Sequence, residues 1–160
     1  MIETIYIAGG CLWGVQHFFK SIPGILNTEA GRANGTTSTL DGPYDGYAEC
    51  VKVEFDSSVI SVASLMDNLF LIIDPYSIDK QGFDVGHKYR TGIYSHDESH
   101  LIAAREFIAN RSDSDRIALE VLPLTNYVRS ADEHQEHLEL HPEDYGLCHI
   151  PIELMNKYRK

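Results

Sequence analysis

Three cysteines in 160 residues, Cys11, Cys50 and Cys148, are too few and too scattered for a disulfide-stapled secreted scaffold, and none forms a CxxC pair. Basic residues are also scarce. Lys and Arg number 13 against 24 Asp and Glu, and a formal net charge of −11 repels phosphate backbones, so nucleic acid is not expected as a partner. No apolar run approaches the ~18 residues that span a bilayer. The opening "MIETIYIAGG" has no basic segment followed by a hydrophobic stretch and a cleavage site, so no membrane association is expected and the protein is read as cytoplasmic. Low-complexity tracts, internal repeats and domain-separating linkers are missing too, which makes residues 1–160 one domain and, by expectation, a monomer. Acidity gathers in "SADEHQEHLELHPEDY" at 130–145, while the final "NKYRK" is basic; solvated faces account for such runs.

What is present alternates between two periods. "TIYIA" at 4–8 is β-branched and aromatic enough for a buried strand, broken by Gly9-Gly10. Leu12, Val15, Phe19 and Ile22 then recur at helical spacing until Pro23-Gly24 stops them. Residues 25–31 suit a second strand, and 33–43, "ANGTTSTLDGP", a loop of turn formers. In 47–55, "YAECVKVEF", strand alternation puts Tyr47, Glu49, Val51, Val53 and Phe55 on one face and Ala48, Cys50, Lys52 and Glu54 on the other. Ser61 caps a helix carrying Leu65, Met66, Leu69, Phe70 and Ile73, and Asp97 caps another that runs to about 110. Between them lie a long loop, 76–89, and a short strand near 90–96; "IALEVL" at 117–122 is a further strand. Ser130 and Glu133 match a capping box before a short polar helix, and the chain from Tyr145 has no periodicity. The fold class is α+β, a two-layer sandwich with helices over a four- or five-stranded sheet and a long irregular C-terminal segment.

This reading places Cys11 at a helix N-terminus, where unpaired N–H groups and the positive end of the helix dipole favour the reactive thiolate. Gly9 and Gly10 are read as keeping its approach clear of side chains. Glu49 stands among apolar neighbours on its strand face, where desolvation raises a carboxyl pKa and makes it a proton donor. Cys50 points to the opposite sheet face and is assigned a structural role. Cys148 lies in the glycine-containing tail, where a mobile segment can bring a second sulfur to Cys11. Two other chemistries compete with a thiol redox site. One is a cysteine hydrolase or transferase, for which His17 is the nearest base. The other is a non-enzymatic metal-binding protein using the histidines of 134–149 (His134, His137, His141, His149); their spacing is not HExxH, and no metal site is expected.

Four motifs in order, "GCLWG" at 10–14 with "IPGI" at 22–25, "GYAE" at 46–49, "QGFDVGHKYRT" at 81–91, and "ADEHQ" with "YGLCHI" near the end, resemble the methionine sulfoxide reductase A family over nearly the whole chain. The resemblance implies a ferredoxin-like fold, thiol-dependent reduction of the S epimer of methionine sulfoxide, no metal or organic cofactor, and recycling by thioredoxin. Carried over position by position, it makes Cys11 the nucleophile, Glu49 the acid, Asp84 and Tyr89 polar pocket residues, Trp13 the wall for the substrate methyl group, and Cys148 the resolving cysteine. It also implies a Cys11 sulfenic acid that closes to a Cys11–Cys148 disulfide. The chain departs from the pattern at several places. Leu12 stands for the usual phenylalanine of the methyl-group wall, Tyr47 for the histidine of GHAE, and Phe83 for an asparagine beside Asp84. The loop before Glu49 is short, and Tyr44 is the nearby candidate for the family's other pocket tyrosine.

Overall fold

The run Ile5–Ala8 is completely or nearly shielded from solvent, which gives the first strand, β1 (Ile2–Gly9), the centre of the sheet. The computed structural model describes residues 1–155, so the basic "NKYRK" run lies outside the described residues. After β1 come α1 (Leu12–Lys20), β2 (Ile25–Ala33), β3 (Ala48–Asp56), α2 (Val62–Ile72), and a two-residue hairpin of β4 (Lys80–Gln81) and β5 (Asp84–Val85). Then follow β6 (Thr91–Ser95), α3 (Glu98–Ala109), β7 (Glu120–Pro123), β8 (Tyr127–Arg129), α4 (His137–Leu140) and α5 (Ile152–Met155). The main sheet is ordered β7-β6-β1-β3-β2-β8. Its four inner strands, taken in order of occurrence, run 4-1-3-2 with α1 and α2 as the two crossovers, the ferredoxin-like arrangement of a β-α-β-β-α-β chain. The sheet is wider than the four or five strands expected. β7 adds in parallel to β6 and β8 in antiparallel to β2, and three residues of β8 are too short to show a period of two.

Strand alternation holds through β3. Val51, Val53 and Phe55 face the main core with Ile5 and Ile7 of β1 and Ile93 of β6, against Val15, Phe18 and Phe19 of α1 and Leu65, Met66 and Leu69 of α2. Cys50 faces the other way, packed with Tyr6, Ala8, Ala48, Tyr94 and Leu124, and is 1% exposed. Both expected caps form: Ser61 Oγ accepts from Ser64 N at 3.1 Å and Asp97 Oδ1 from Ser99 N at 2.9 Å.

The Ser130/Glu133 capping box does not form. A 3-10 turn over Asp132–His134 begins at Ala131 without a side-chain cap, and Ser130 is buried with its carbonyl accepting from Gln135 Nε2. The three histidines therefore do not share one helix: His134 ends the 3-10 turn, His137 starts α4, and His141 follows it. The irregular C-terminal segment is bolted to the body by side chains. Gln135 acts as an extra strand partner for β2, with Ala30 N donating to Oε1 and Nε2 donating to Ala30 O, both at 2.8 Å. Glu136 N donates to Gln16 Oε1 at 2.8 Å, His149 Nε2 pairs with the Ile72 carbonyl at 3.0 Å, and Leu138 and Ile150 enter the main core.

Phe55→Ala empties the centre of that core and is expected to cost ~3–5 kcal/mol of stability. Ser61→Ala removes one cap and is expected to cost ~1 kcal/mol. Urea midpoints of the two variants check the order.

Candidate active site

The turn between β1 and α1 is tight because Gly10 adopts a φ of +91°, which L side chains rarely take. A Cβ there would lie 2.7 Å from Gln81 Cβ and 3.0 Å from His149 Cε1. The glycine thus admits close packing by the β4 strand and the C-terminal segment; it does not leave an open approach for a ligand, as expected from sequence. Gln81 is itself fixed by both ends of its amide to the backbone of Asp74, at 2.8 Å each. Cys11 is the N-cap of α1 without a side-chain capping hydrogen bond; the Trp13 and Gly14 N–H groups favour its thiolate, and the Leu12 N–H favours the Glu49 carboxylate. The field at one helix N-terminus therefore acts on both a thiol and a carboxyl.

A pocket of about 430 Å³ opens over this turn. Cys11, Leu12 and Trp13 form one wall, Arg32, Tyr47 and Glu49 of the adjoining strands another, and Asp84, Lys88 and Tyr89 a third. Ser130, His134 and Leu147 close it from the C-terminal segment. Seven of the eight residues singled out in the sequence gather here, Cys148 by its contact with Cys11. Tyr44 does not. It is 48% exposed, and its hydroxyl donates to the Tyr47 carbonyl at 2.6 Å, which parks its ring edge-on behind Tyr47. Tyr47 takes the place in the pocket, with the Arg32 guanidinium 4.4 Å over its ring. The signal was in the sequence: Tyr47 and Glu49 share a strand face. Arg32, Lys88, Ser130, His134 and Leu147 carried no such signal. Arg32 enters because the β2–β3 register sets it directly across from Glu49.

Burial pushes the Glu49 carboxyl up to about 7; Asp84 adds to this, while Lys88, the Leu12 N–H and Arg32 oppose it. Burial also raises Asp84, and burial together with the Glu49 charge raises Tyr89, so the Tyr89 proton is held as a donor.

All three cysteines are free thiols. Cys148 needs no swinging tail. Its sulfur sits on α1, where a Cβ added at Gly14 would come 2.2 Å from Cys148 Sγ and 2.9 Å from Ile150 Cδ1. It lies beside Cys11 before any disulfide forms, near enough for the two thiols to affect each other's ionisation. This alters the expectation of a lone Cys11 thiolate. Two neighbouring, partly buried thiols disfavour a second negative charge beside the first. The two sulfurs titrate together: His149 and the Ile150 N–H favour the charge on Cys148, and the Trp13 and Gly14 N–H groups favour it on Cys11.

The other histidine chemistries find no geometry here. His17 is buried outside the pocket, its Nε2 2.9 Å from the Tyr145 hydroxyl. Trp13 Nε1 donates to His134 Nδ1 at 3.2 Å. Among the described residues, the side chains that converge as a metal-ligand set are Glu3, Asp97 and His100 at the far end of β1, not the 134–149 histidines. No helix among the described residues is long and apolar enough to cross a membrane.

The family model described as peptide methionine sulfoxide reductase matches residues 3–160. A peptide methionine sulfoxide reductase MsrA of Clostridium perfringens is 40% identical over 162 residues, covering 95% of this chain and all of that protein. Among solved structures, Mxr1 from Saccharomyces cerevisiae in reduced form superposes with a TM-score of 0.86 at 27% identity, over 94% of this chain and 91% of that one. Mxr1 in complex with Trx2 shares the fold at a TM-score of 0.61 and 22% identity, over 85% and 84% of the two chains.

Gly14→Ala tests the seat of Cys148. The added methyl group overlaps Cys148 Sγ, so closure of the Cys11–Cys148 disulfide under a mild oxidant is expected to slow at least tenfold, read by thiol counting and peptide mapping, while Cys11 still alkylates.

Proposed function

The chain belongs to the peptide methionine sulfoxide reductase family, and from that membership we propose that it reduces methionine S-sulfoxide, free or in proteins, to methionine as a single catalytic domain over 1–160. The reading is carried by one observation: a sulfur at the N-terminus of α1 and a carboxyl raised by burial to about 7 line one pocket, and a second sulfur is seated on α1 beside the first.

Cys11 attacks the sulfoxide sulfur. The proton it shares with Cys148 passes to Cys148, so the charge appears on Cys11 under the Trp13 and Gly14 N–H groups as the bond forms. Glu49 delivers its proton to the sulfoxide oxygen, with Tyr89 and Tyr47 as hydrogen-bond donors beside it. The substrate methyl group rests against Leu12 and Trp13. The oxygen transfers to Cys11, methionine leaves, and Cys11 is a sulfenic acid. Cys148 displaces the oxygen as water and closes the Cys11–Cys148 disulfide. A thioredoxin dithiol, the kind of partner present as Trx2 in the Mxr1 complex, then reduces it in the cytosol. Asp84 holds the rim of the pocket beside Lys88. No step needs a metal or an organic cofactor.

Glu49→Gln keeps shape but removes the proton, and the chemical step is expected to slow by ~10²–10⁴. The wild-type rate should fall as pH rises through about 7, because the acid form is lost there; the variant lacks that descent. Stability gives an independent check. The folded Glu49 pKa lies above its ordinary 4.5, so the native state binds the extra proton between 4.5 and about 7 and loses stability as pH rises across that window. Glu49→Gln should therefore melt higher than wild type at pH 8 and not at pH 4. Unchanged turnover in this variant removes Glu49 from the reaction.

Cys148→Ser is expected to release one equivalent of methionine and stop, with Cys11 trapped by a sulfenic-acid reagent. Disulfide mapping of wild type after one equivalent of substrate should show Cys11–Cys148; a Cys11–Cys50 link overturns the assignment of Cys148.

A further inference from the structure

Trp13 is the sole tryptophan of the chain and a wall of the pocket, and a histidine covers its other side. The His137 ring stacks on the indole with centroids 3.7 Å apart and planes 11° from parallel. Both ring nitrogens of His137 face acceptors. Nδ1 lies 3.2 Å from the Glu133 carbonyl oxygen and Nε2 2.6 Å from Asp144 Oδ2. A neutral imidazole has one N–H and leaves one of these contacts unmade; the imidazolium, with two, satisfies both. The ring is 14% exposed; the Asp144 contact is partly buried, and the Glu133 contact lies at the surface. His134, on the preceding turn, is used in the opposite sense: its Nδ1 accepts from Trp13 Nε1 and so carries no proton. The indole is thus gripped on its face by one histidine and at its N–H by another.

We propose that His137 is a positioning residue for the reductase, holding Trp13 as the substrate wall through an imidazolium–indole stack. A cation against an indole face is attracted by the ring quadrupole, most strongly where water is excluded. Trp13 lies in the first turn of α1, where its backbone N–H serves Cys11, so an indole free to turn would loosen the methyl-group wall next to the nucleophile. The titratable and charged groups around His137 are Asp144 at one edge, His141 with its ring 4.9 Å away, and Glu133 and His134 on the preceding turn. Asp144 supports the cation; His141, which pairs with Glu143 at 3.2 Å, opposes it only when itself charged. His137 touches no substrate atom in this scheme and acts through Trp13.

The inference rests on the reductase reading for its kinetic arm and is independent of it for its spectroscopic arm. A stacked imidazolium quenches indole emission and a neutral imidazole quenches it less. With a single tryptophan, wild-type emission should therefore rise as pH increases, and the rise should be smaller in His137→Phe, where His134 still meets the indole. His137→Arg keeps a planar permanent cation on the indole and should stay quenched at every pH. In single-turnover assays with methionine S-sulfoxide, His137→Phe and His137→Ala are expected to weaken substrate binding about three- to tenfold, the span of a lost cation–π contact. The rate at saturating substrate should stay within about twofold, and His137→Arg should restore wild-type binding. The proposal is overturned if the emission of wild type and His137→Phe follows pH identically, or if His137→Ala binds substrate as wild type does. It is equally overturned if His137→Arg loses binding and thermal stability together with the other variants, which is the result of a purely structural role. If the emission behaves as stated and no variant, wild type included, turns over methionine S-sulfoxide, the stack stands and the reductase reading falls.

Discussion

The end of α1 is the constraint on which the site depends. A helix leaves its first N–H groups without partners inside the helix, and here their field is divided between the Cys11 sulfur and the Glu49 carboxyl. That division is possible because Gly10 turns the chain sharply after β1 and Gly14 brings the helix surface close enough for a second sulfur to rest on it. Cys11, Glu49 and Cys148 are thus arranged around two turns of backbone. Their distances follow from packing against α1, not from long flexible side chains.

Electrostatically the site holds less charge than its residues could carry. Burial pushes Glu49 towards its protonated form, and the two neighbouring sulfurs disfavour a second negative charge beside the first. Both features cost stability, since a buried carboxyl that ionises above about 7 is a penalty in the folded state alone. In the proposed reaction the raised carboxyl is the proton source for the sulfoxide oxygen. Loss of stability and gain of reactivity have one cause.

The C-terminal segment shows how a strap without periodicity is held. Gln135 on β2, Gln16 on the Glu136 N–H and His149 on the Ile72 carbonyl supply the backbone partners that a strand or helix would have made for itself. Between these bolts, Leu138 and Ile150 reach the main core, and Trp13 is clasped from behind by His137. The strap therefore completes the pocket in the dithiol state, with Cys148 in place before it is needed.

The alternation in β3, the glycine break before Cys11 and the caps at Ser61 and Asp97 are local properties, and each was legible in the chain because period and turn chemistry act over a few residues. They determined the strand-and-helix order, the position of Cys11 at a helix end, the face on which Glu49 lies and the opposite face for Cys50. The motifs added the family and, through it, the residues expected to react. Long-range register decided the rest: that Arg32 lies across from Glu49, that Tyr47 and not Tyr44 lines the pocket, and that Cys148 is already seated on Gly14. It also set His134 and His137 to hold an indole instead of forming a helix face. These pairings join residues up to more than a hundred positions apart through hydrogen bonds and contacts of single side chains, and no periodicity in a linear sequence records which distant partner a side chain will meet.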